Sequence, residues 1–553
     1  MEISTIQQPS SSRVLEDPQT EASTAQESTH AREQFEVEEV GNNGDDDDIE
    51  YPTGTKLWLA VSSFCLASFL HGLDLTIVAV AVPSLTDQFK TVNDIGWYSA
   101  SYMMTSSALI FFFGKMYTLY SIKPLFVFGI AVFELGSLLC TFSQSSHMFI
   151  LGRSIAGVGT SAIQGGGLKL MRHCFPVSKL PMAMSLVSAC SSIGLVTAPM
   201  IGGALIDAFS WRACFAINIP LGVLCIVFIL YGFHDFILNP DESMPWRAKL
   251  RCLDPVGTLL VIPSVTCLLM GLQWGGIKYG WKDWRIVLVF VLFGVLSSGF
   301  AYLQYRQGDV AILPPRIVKK RSILAAMWFS SCCNGVLAVT EYYIAIYFQG
   351  VQGLSATTSG LLGLPMIVGL GVATVMSGLG TSAIGYYYPF MFATSIFAPV
   401  ASGLLTTLDP DESHVKVATL LAFLGIAIGL SLSTPSLIVQ ATLSPKDISI
   451  GAAIVGFGGG MGSALWTCAS AALFQNRLVR EIQQHEPGTN VTAIADAGLS
   501  DLRRYIGSEK LRVVLAGYNE AVSQTLYIPL ALGILTVAGS IAAERKSVKS
   551  KQT

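Results

Sequence analysis

The amino-acid sequence predicts an all-α polytopic membrane protein, and three observations carry that prediction. Just over half of the 553 residues are hydrophobic (52%) and only 13% are charged, unlike the balance of a water-soluble domain. Mean hydropathy is +0.55. The charges fall between apolar blocks, each long enough to cross about 30 Å of hydrocarbon at about 1.5 Å per residue. Fourteen blocks can be counted, near 57–83, 95–115, 124–142, 147–170, 180–206, 213–233, 255–274, 284–303, 323–348, 358–380, 387–408, 416–434, 447–474 and 524–543. A net charge of −3 says little, because an acidic tail offsets basic loops.

Residues 1–55 are rich in Ser, Glu and Gln and include the acid run Asp45 to Asp48. Such a segment lacks the apolar surface to offset its ordering entropy and is expected to be a disordered acidic tail. It has neither the basic start nor the short apolar core of a signal peptide. The first span holds Asp74, a carboxylate in an apolar helix, which must face a cavity or a partner. A hydrogen bond to a neighbouring helix would also satisfy it. His71 lies one turn earlier on the same face. The second span opens with Gly96, Trp97 and Tyr98 and carries Tyr102; Gly114 and Lys115 stand at its far end, in a loop that runs to Lys123. In the fourth span Arg153 cannot shed its charge and needs carbonyls, a carboxylate or water as acceptors. Gln164 follows deeper in the same helix.

The fifth span carries Gly194, Ala198, Pro199, Gly202 and Gly203. Read as one small-residue face, these positions let a neighbouring backbone approach closely, while Pro199 leaves a carbonyl without its donor and bends the helix. Asp207, Trp211 and Arg212 then mark an interface, with Asn218 and Pro220 entering the sixth span.

These runs together resemble the fungal drug and toxin exporters of the major facilitator superfamily, the fourteen-span, mycotoxin-efflux-pump-like proton antiporters. The segment from Leu73 to Pro83 resembles their first-helix motif, Gly152 to Gly159 their third, and Gly194 to Gly203 with Ser210-Trp211-Arg212 their antiporter signature. The gating loop departs from the pattern: Gly114, Lys115 and Lys123 remain, but Thr118, Ser121 and Ile122 replace its Asp, second Gly and Arg. A charge relay in this loop is therefore not expected.

The resemblance implies a six-helix bundle over 56–234 and a linker over 235–322 with two extra helices. A second six-helix bundle over 323–545 and a basic tail over 546–553 would follow. A weak repeat agrees, since the turn from Gly114 to Pro124 has a partner in Gly378, Gly385 and Pro389. Within the linker, Asp254-Pro255 reads as N-cap and first residue of the seventh span. Residues 475–523 are expected to be an extracellular loop bearing the glycosylation acceptor Asn490-Val491-Thr492. Lys and Arg concentrate in alternate loops, which places both termini in the cytosol of a cell membrane, or on that face of a vacuolar or other internal one.

Function follows from the same resemblance: proton-coupled efflux of a small hydrophobic or amphipathic organic compound by alternating access. Asp74 is the expected proton-coupling residue, with Glu341 as second candidate; Glu134 is read as a local packing partner. Asp74→Asn, nearly isosteric with the protonated acid, is expected to fold. Tyr102, Gln164, Tyr343, Tyr347, Gln349 and Trp466 are expected to line an aromatic pocket. The alternatives are an importer of siderophores or sugars on the same fold, or a non-transporting membrane receptor. Enzyme chemistry is not expected, because the seven histidines are scattered and no HExxH or GxSxG run occurs. No metal, cofactor or nucleic-acid partner is expected, only a proton gradient, the lipid bilayer and a monomeric chain. The eleven cysteines, in or beside spans, read as small apolar packing residues.

Overall fold

The computed structural model describes residues 52–91, 94–175, 180–233, 254–275, 279–308, 311, 313–443, 447–485 and 508–546. The acidic run, the Asn490 acceptor and residues 547–553 lie outside them. The described residues form helices joined by short turns, with one isolated bridge between Gly275 and Tyr279 and no strand.

The first half comprises α1 (Thr55–Phe89), α2 (Ile95–Leu119), α3 (Ile122–Thr141), α4 (Ser146–Cys174), α5 (Leu180–Ala208), and the short α6 (Ala213–Ala216) leading into α7 (Asn218–Gly232). The linker holds α8 (Pro255–Trp274), α9 (Trp284–Gln307) and α10 (Pro315–Val318). The second half is α11 (Arg321–Ile346) with a closing π turn (Tyr347–Val351), α12 (Ala356–Ile384), α13 (Tyr388–Leu405), α14 (His414–Gly429), α15 (Thr434–Thr442), α16 (Ile448–His485), α17 (Ser508–Thr525) and α18 (Tyr527–Ala542).

Local chemistry sets several boundaries. Ser145 accepts from the Met148 amide at the head of α4, and Ser355 from the Thr358 amide at the head of α12. Asp254 caps α8 as expected, accepting from the Gly257 amide at 2.9 Å, with Pro255 at the first helical position. Gly385 ends α12 at φ 83°, a left-handed conformation that costs glycine nothing.

Two seams join the halves, α2 against α16 and α5 against α12, with α1 and α11 meeting between them. The extra helices α8 and α9 pair with each other, and α8 leans on both α2 and α16. Gln304 and Gln307 of α9 donate to Asp254 at 3.0 and 3.1 Å, which ties the feet of the pair together. Arg316 forks onto Asp447 at 2.8 and 2.7 Å and anchors the linker to the start of α16. Val287, Leu288, Val291 and Val295 leave α9 with an exposed apolar face, the surface a lipid solvent would cover.

The structure revises four sequence expectations. Among the described residues, twelve of the fourteen blocks become helices that are both long and apolar enough to cross a membrane. The other two blocks are α2 and α4, of 25 and 29 residues: long enough, but diluted by Gly, Ser and basic residues. The loop expected at 475–523 is helical at both ends, because α16 runs on to His485 and α17 starts at Ser508. Gln, Arg and Glu there are good helix formers whose low hydropathy hid the helix. The gating loop is mostly helix too, for α2 continues through Gly114 to Leu119 and α3 starts at Ile122.

The fourth revision concerns α5, whose small residues do not share one face. Gly194 packs against the backbone of Phe69 and Leu73 on α1, and Gly202 against Ile77. Pro199 and Gly203 instead meet Gly360 and Thr357 on α12. At about 100° per residue, offsets of 4 and 8 stay near Gly194, whereas offsets of 5 and 9 turn to the opposite side. One span thus seats α1 with one glycine stripe and the other half of the molecule with the second.

Candidate functional site

The centre of the first half is a buried polar cluster built from five helices. Asp74 of α1 and Arg153 of α4 form an ion pair at 2.7 Å, with both side chains about 1% exposed. Arg153 also donates to the Tyr98 carbonyl at 3.2 Å and to the Asp74 carbonyl at 3.4 Å. Its guanidinium lies 4.3 Å from the ring centre of Tyr102, a cation–π contact. The other Asp74 oxygen accepts from the Asn218 amide at 3.4 Å, and the same amide donates to Ser137 Oγ at 3.2 Å. Charges at this depth persist only when paired and hydrogen-bonded, and these partners supply both.

A second polar chain leads away from the pair. The Tyr102 hydroxyl lies 2.9 Å from His71 Nδ1 and 2.9 Å from Thr160 Oγ1. His71 and Asp74 sit one turn apart on α1, so both chains start from one helix face. Sequence reasoning placed Asp74 and Arg153 separately and left the acceptor of Arg153 open; the fold makes them partners. It missed Asn218 as the bridge from Asp74 to α3. The available signal was an amide in an otherwise apolar span.

Glu341 of α11 is in a different setting. It borders a cavity of about 30 Å³ between the halves, together with Thr76, Val80, Pro199, Phe348 and Ser359. That volume holds about one water. No other charged side chain lines it.

The six residues expected to form an aromatic pocket are not gathered around this cavity. Tyr102 is buried under Arg153, and Gln164 is exposed on α4. Tyr343 packs on Phe474 with ring centres 5.3 Å apart. Tyr347 donates to the Asp409 carbonyl at 2.6 Å. Gln349 donates to the Val80 carbonyl at 3.3 Å, and Trp466 lies over Gly335. Aromatic bulk here fills helix contacts, and the cavity wall is mostly aliphatic. A side chain added at Gly114 would meet open space, while the side chain of Lys115 lies outside the described residues.

Among the described residues, three hydrogen bonds join the halves at the end where α1 finishes and α2 begins. Tyr342 donates to the Ile95 carbonyl at 3.0 Å, Gln349 to Val80, and the Thr357 amide to Asp207 at 3.1 Å. The last places a carboxylate at the amino end of α12, where the helix dipole favours it. At the same end Phe89, Phe149, Trp211 and Phe215 form an edge-to-face aromatic cluster.

Comparison with known proteins adds what geometry alone leaves open. The Major Facilitator Superfamily profile matches residues 64–467. The chain is similar to the MFS-type efflux pump MFS1 of Trichophyton rubrum, 38% identical over 504 residues that cover 91% of this chain and 94% of the relative. The efflux pump roqT of Penicillium rubens is 39% identical over 89% of this chain and 92% of its own. The MFS-type transporter astH of Aspergillus oryzae is 35% identical over 92% of this chain and 90% of its own. Among solved structures, an inward-facing, unoccupied bacterial homolog of the human lysosomal transporter Spinster superposes with a TM-score of 0.63 at 12% identity. It covers 89% of this chain and 98% of that one. A D-xylose–proton symporter superposes with a TM-score of 0.56 at 12% identity, covering 89% and 99%. At such identities the likeness is one of fold.

Proposed function

The chain belongs to the Major Facilitator Superfamily, and on that premise we propose that it exports small amphipathic organic molecules in exchange for protons. The observation that carries export is the near full-length similarity to proteins named as efflux pumps. The coupling reading is supported by the Asp74–Arg153 pair, a protonatable carboxylate held by a permanent cation in the first half. Protonation of Asp74 would remove its charge and release Arg153, so the pair has two states that a proton selects between.

Alternating access then rocks one half against the other around the seams α2/α16 and α5/α12. Both termini face the cytosol in this reading. The end closed by Tyr342, Gln349 and Asp207 then faces outward and must part before substrate leaves. The energy source is the proton gradient alone, without metal or organic cofactor, and the chain acts as a monomer in the cell membrane or an internal one. Glu341, on the wall that the second half contributes to the cavity, is the second acidic candidate.

The test is transport by the purified chain in lipid vesicles carrying an imposed pH gradient. A fluorescent amphipathic compound should move uphill only when protons can move the other way. Transport indifferent to the gradient would overturn the coupling, and accumulation driven in the opposite direction would overturn export.

A further inference from the structure

A third carboxylate lies in the spans, and neither the pair nor the cavity uses it. Glu134 of α3 is 7% exposed, and neither of its carboxylate oxygens has a hydrogen-bond partner. It projects into a slot on α7 that exists because residue 222 is glycine; a Cβ there would overlap the carboxylate. Ser137 lies one turn along α3 from Glu134, and Asn218 one turn along α7 from Gly222. These two neighbours are the residues that hydrogen-bond each other and, through the Asn218 amide, Asp74.

We propose that Glu134 holds a proton in this conformation and serves beside Asp74 as a second acidic site on the proton pathway of the first half. The pathway role rests on the proton-coupled reading above.

Charge balance is the main support. The charged and titratable groups facing Glu134 are Asp74 from α1, Arg153 behind it from α4, and the thiol of Cys225 from α7. One guanidinium and two carboxylates would leave a net negative charge buried in hydrocarbon, which a low-dielectric interior strongly disfavours. A single proton makes the cluster neutral. Arg153 engages Asp74 at 2.7 Å, so the carboxylate left to take the proton is Glu134. Hydrogen bonding agrees. Asn218 Oδ1 is buried without a donor, as are both Glu134 oxygens, so the site has acceptors in excess. Protonation supplies the missing O–H donor. The step itself is a bare transfer, with the proton leaving one carboxylic acid for a carboxylate or water and no other bond changing.

The test uses the full chain in lipid vesicles. Infrared difference spectra between neutral and alkaline buffer should contain a protonated-carboxyl band that Glu134→Gln lacks and that the double variant Asp74→Asn with Arg153→Gln, which removes the cation together with its partner, retains. Glu134→Leu, which leaves the site apolar, should lose the same band and guards against misfolding of the amide variant. Spectra of both Glu134 variants that superpose on the wild type would overturn the proposal. In transport, Glu134→Gln is locked neutral and should lose the several-fold decline in efflux expected of the wild type at alkaline pH; an unchanged profile removes Glu134 from the pathway. A wild type that exports without regard to the gradient sinks the coupled-export reading instead, while the band still decides whether Glu134 carries the proton.

Discussion

The two halves place an acid at matching positions and treat it in opposite ways. Asp74 and Glu341 each lie about twenty residues into the first helix of their half. Asp74 is clasped by Arg153 and Asn218 from two further helices. Glu341 borders a cavity that no other charged side chain lines, and neither α14 nor α15 carries an arginine to match Arg153. A clasped charge organises the bundle around it and changes state only when the clasp opens. An acid at a cavity wall is free to meet a proton or a ligand without disturbing the fold.

The largest effects should come from opening the clasp. Removing one member of a buried pair leaves the other uncompensated and costs about 3–5 kcal/mol. Arg153→Leu should therefore lower the melting temperature in detergent sharply and abolish efflux. Asp74→Asn should do nearly the same, contrary to the expectation that it quietly mimics the protonated acid, because the amide leaves Arg153 without a counter-ion. The double variant Asp74→Asn with Arg153→Gln should recover much of the stability but none of the gradient-driven efflux. Single variants that melt like the wild type would show that the pair is not what holds these helices.

The next effect separates contacts within a half from contacts between halves. Gly194→Val would push α5 off the α1 backbone at Phe69 and should destabilise the first half by about 1–3 kcal/mol. A Cβ on Gly203 would sit 2.6 Å from Thr357 Cα across the seam, so Gly203→Val blocks closure of that end without touching either core. It should fold normally and lose most of its efflux. Equal melting losses in the two variants would erase the distinction.

How much of this was legible in the chain follows from the same contrast. Apolar blocks between charges reveal helices one at a time, so α8, capped by Asp254, and the cores of the other spans could be read directly. Partnerships across the bundle could not. Asp74 and Arg153 are 79 residues apart, and nothing in either motif names the other. Hydropathy also hid the polar ends of α16 and α17, and residue spacing alone merged the two stripes of α5 into one. The six expected pocket residues are scattered here for a different reason: a bulky ring is as useful for filling a helix contact, as Tyr343 does, as for lining a cavity.

A smaller effect is expected at Glu341. Glu341→Gln removes no partner, so melting should stay within about 0.5 kcal/mol of the wild type. Gradient-driven efflux should fall while downhill exchange persists, as befits a second acidic site at the cavity. Should the variant melt early, Glu341 would have a hidden partner and the contrast with Asp74 would lose its basis.

The smallest effect belongs to an ion pair with the same geometry in another medium. Lys416 and Glu412, in and before the first turn of α14, lie 2.7 Å apart, the separation found between Arg153 and Asp74. The Lys416 side chain is 51% exposed, whereas the buried pair is 1% exposed on both sides. Water screens the surface pair and already solvates each partner, so its loss uncovers no bare charge. The Lys416 hydrogen bond holds the Glu412 carboxyl below its ordinary value. Any stability it adds is therefore present at neutral pH and fades as pH falls through the acid range. Glu412→Gln should leave melting, efflux and their salt dependence unchanged at neutral pH. A loss approaching that of Asp74→Asn would mean that distance, not burial, sets the worth of a charge pair in this protein, and the reading of its centre would have to be rebuilt.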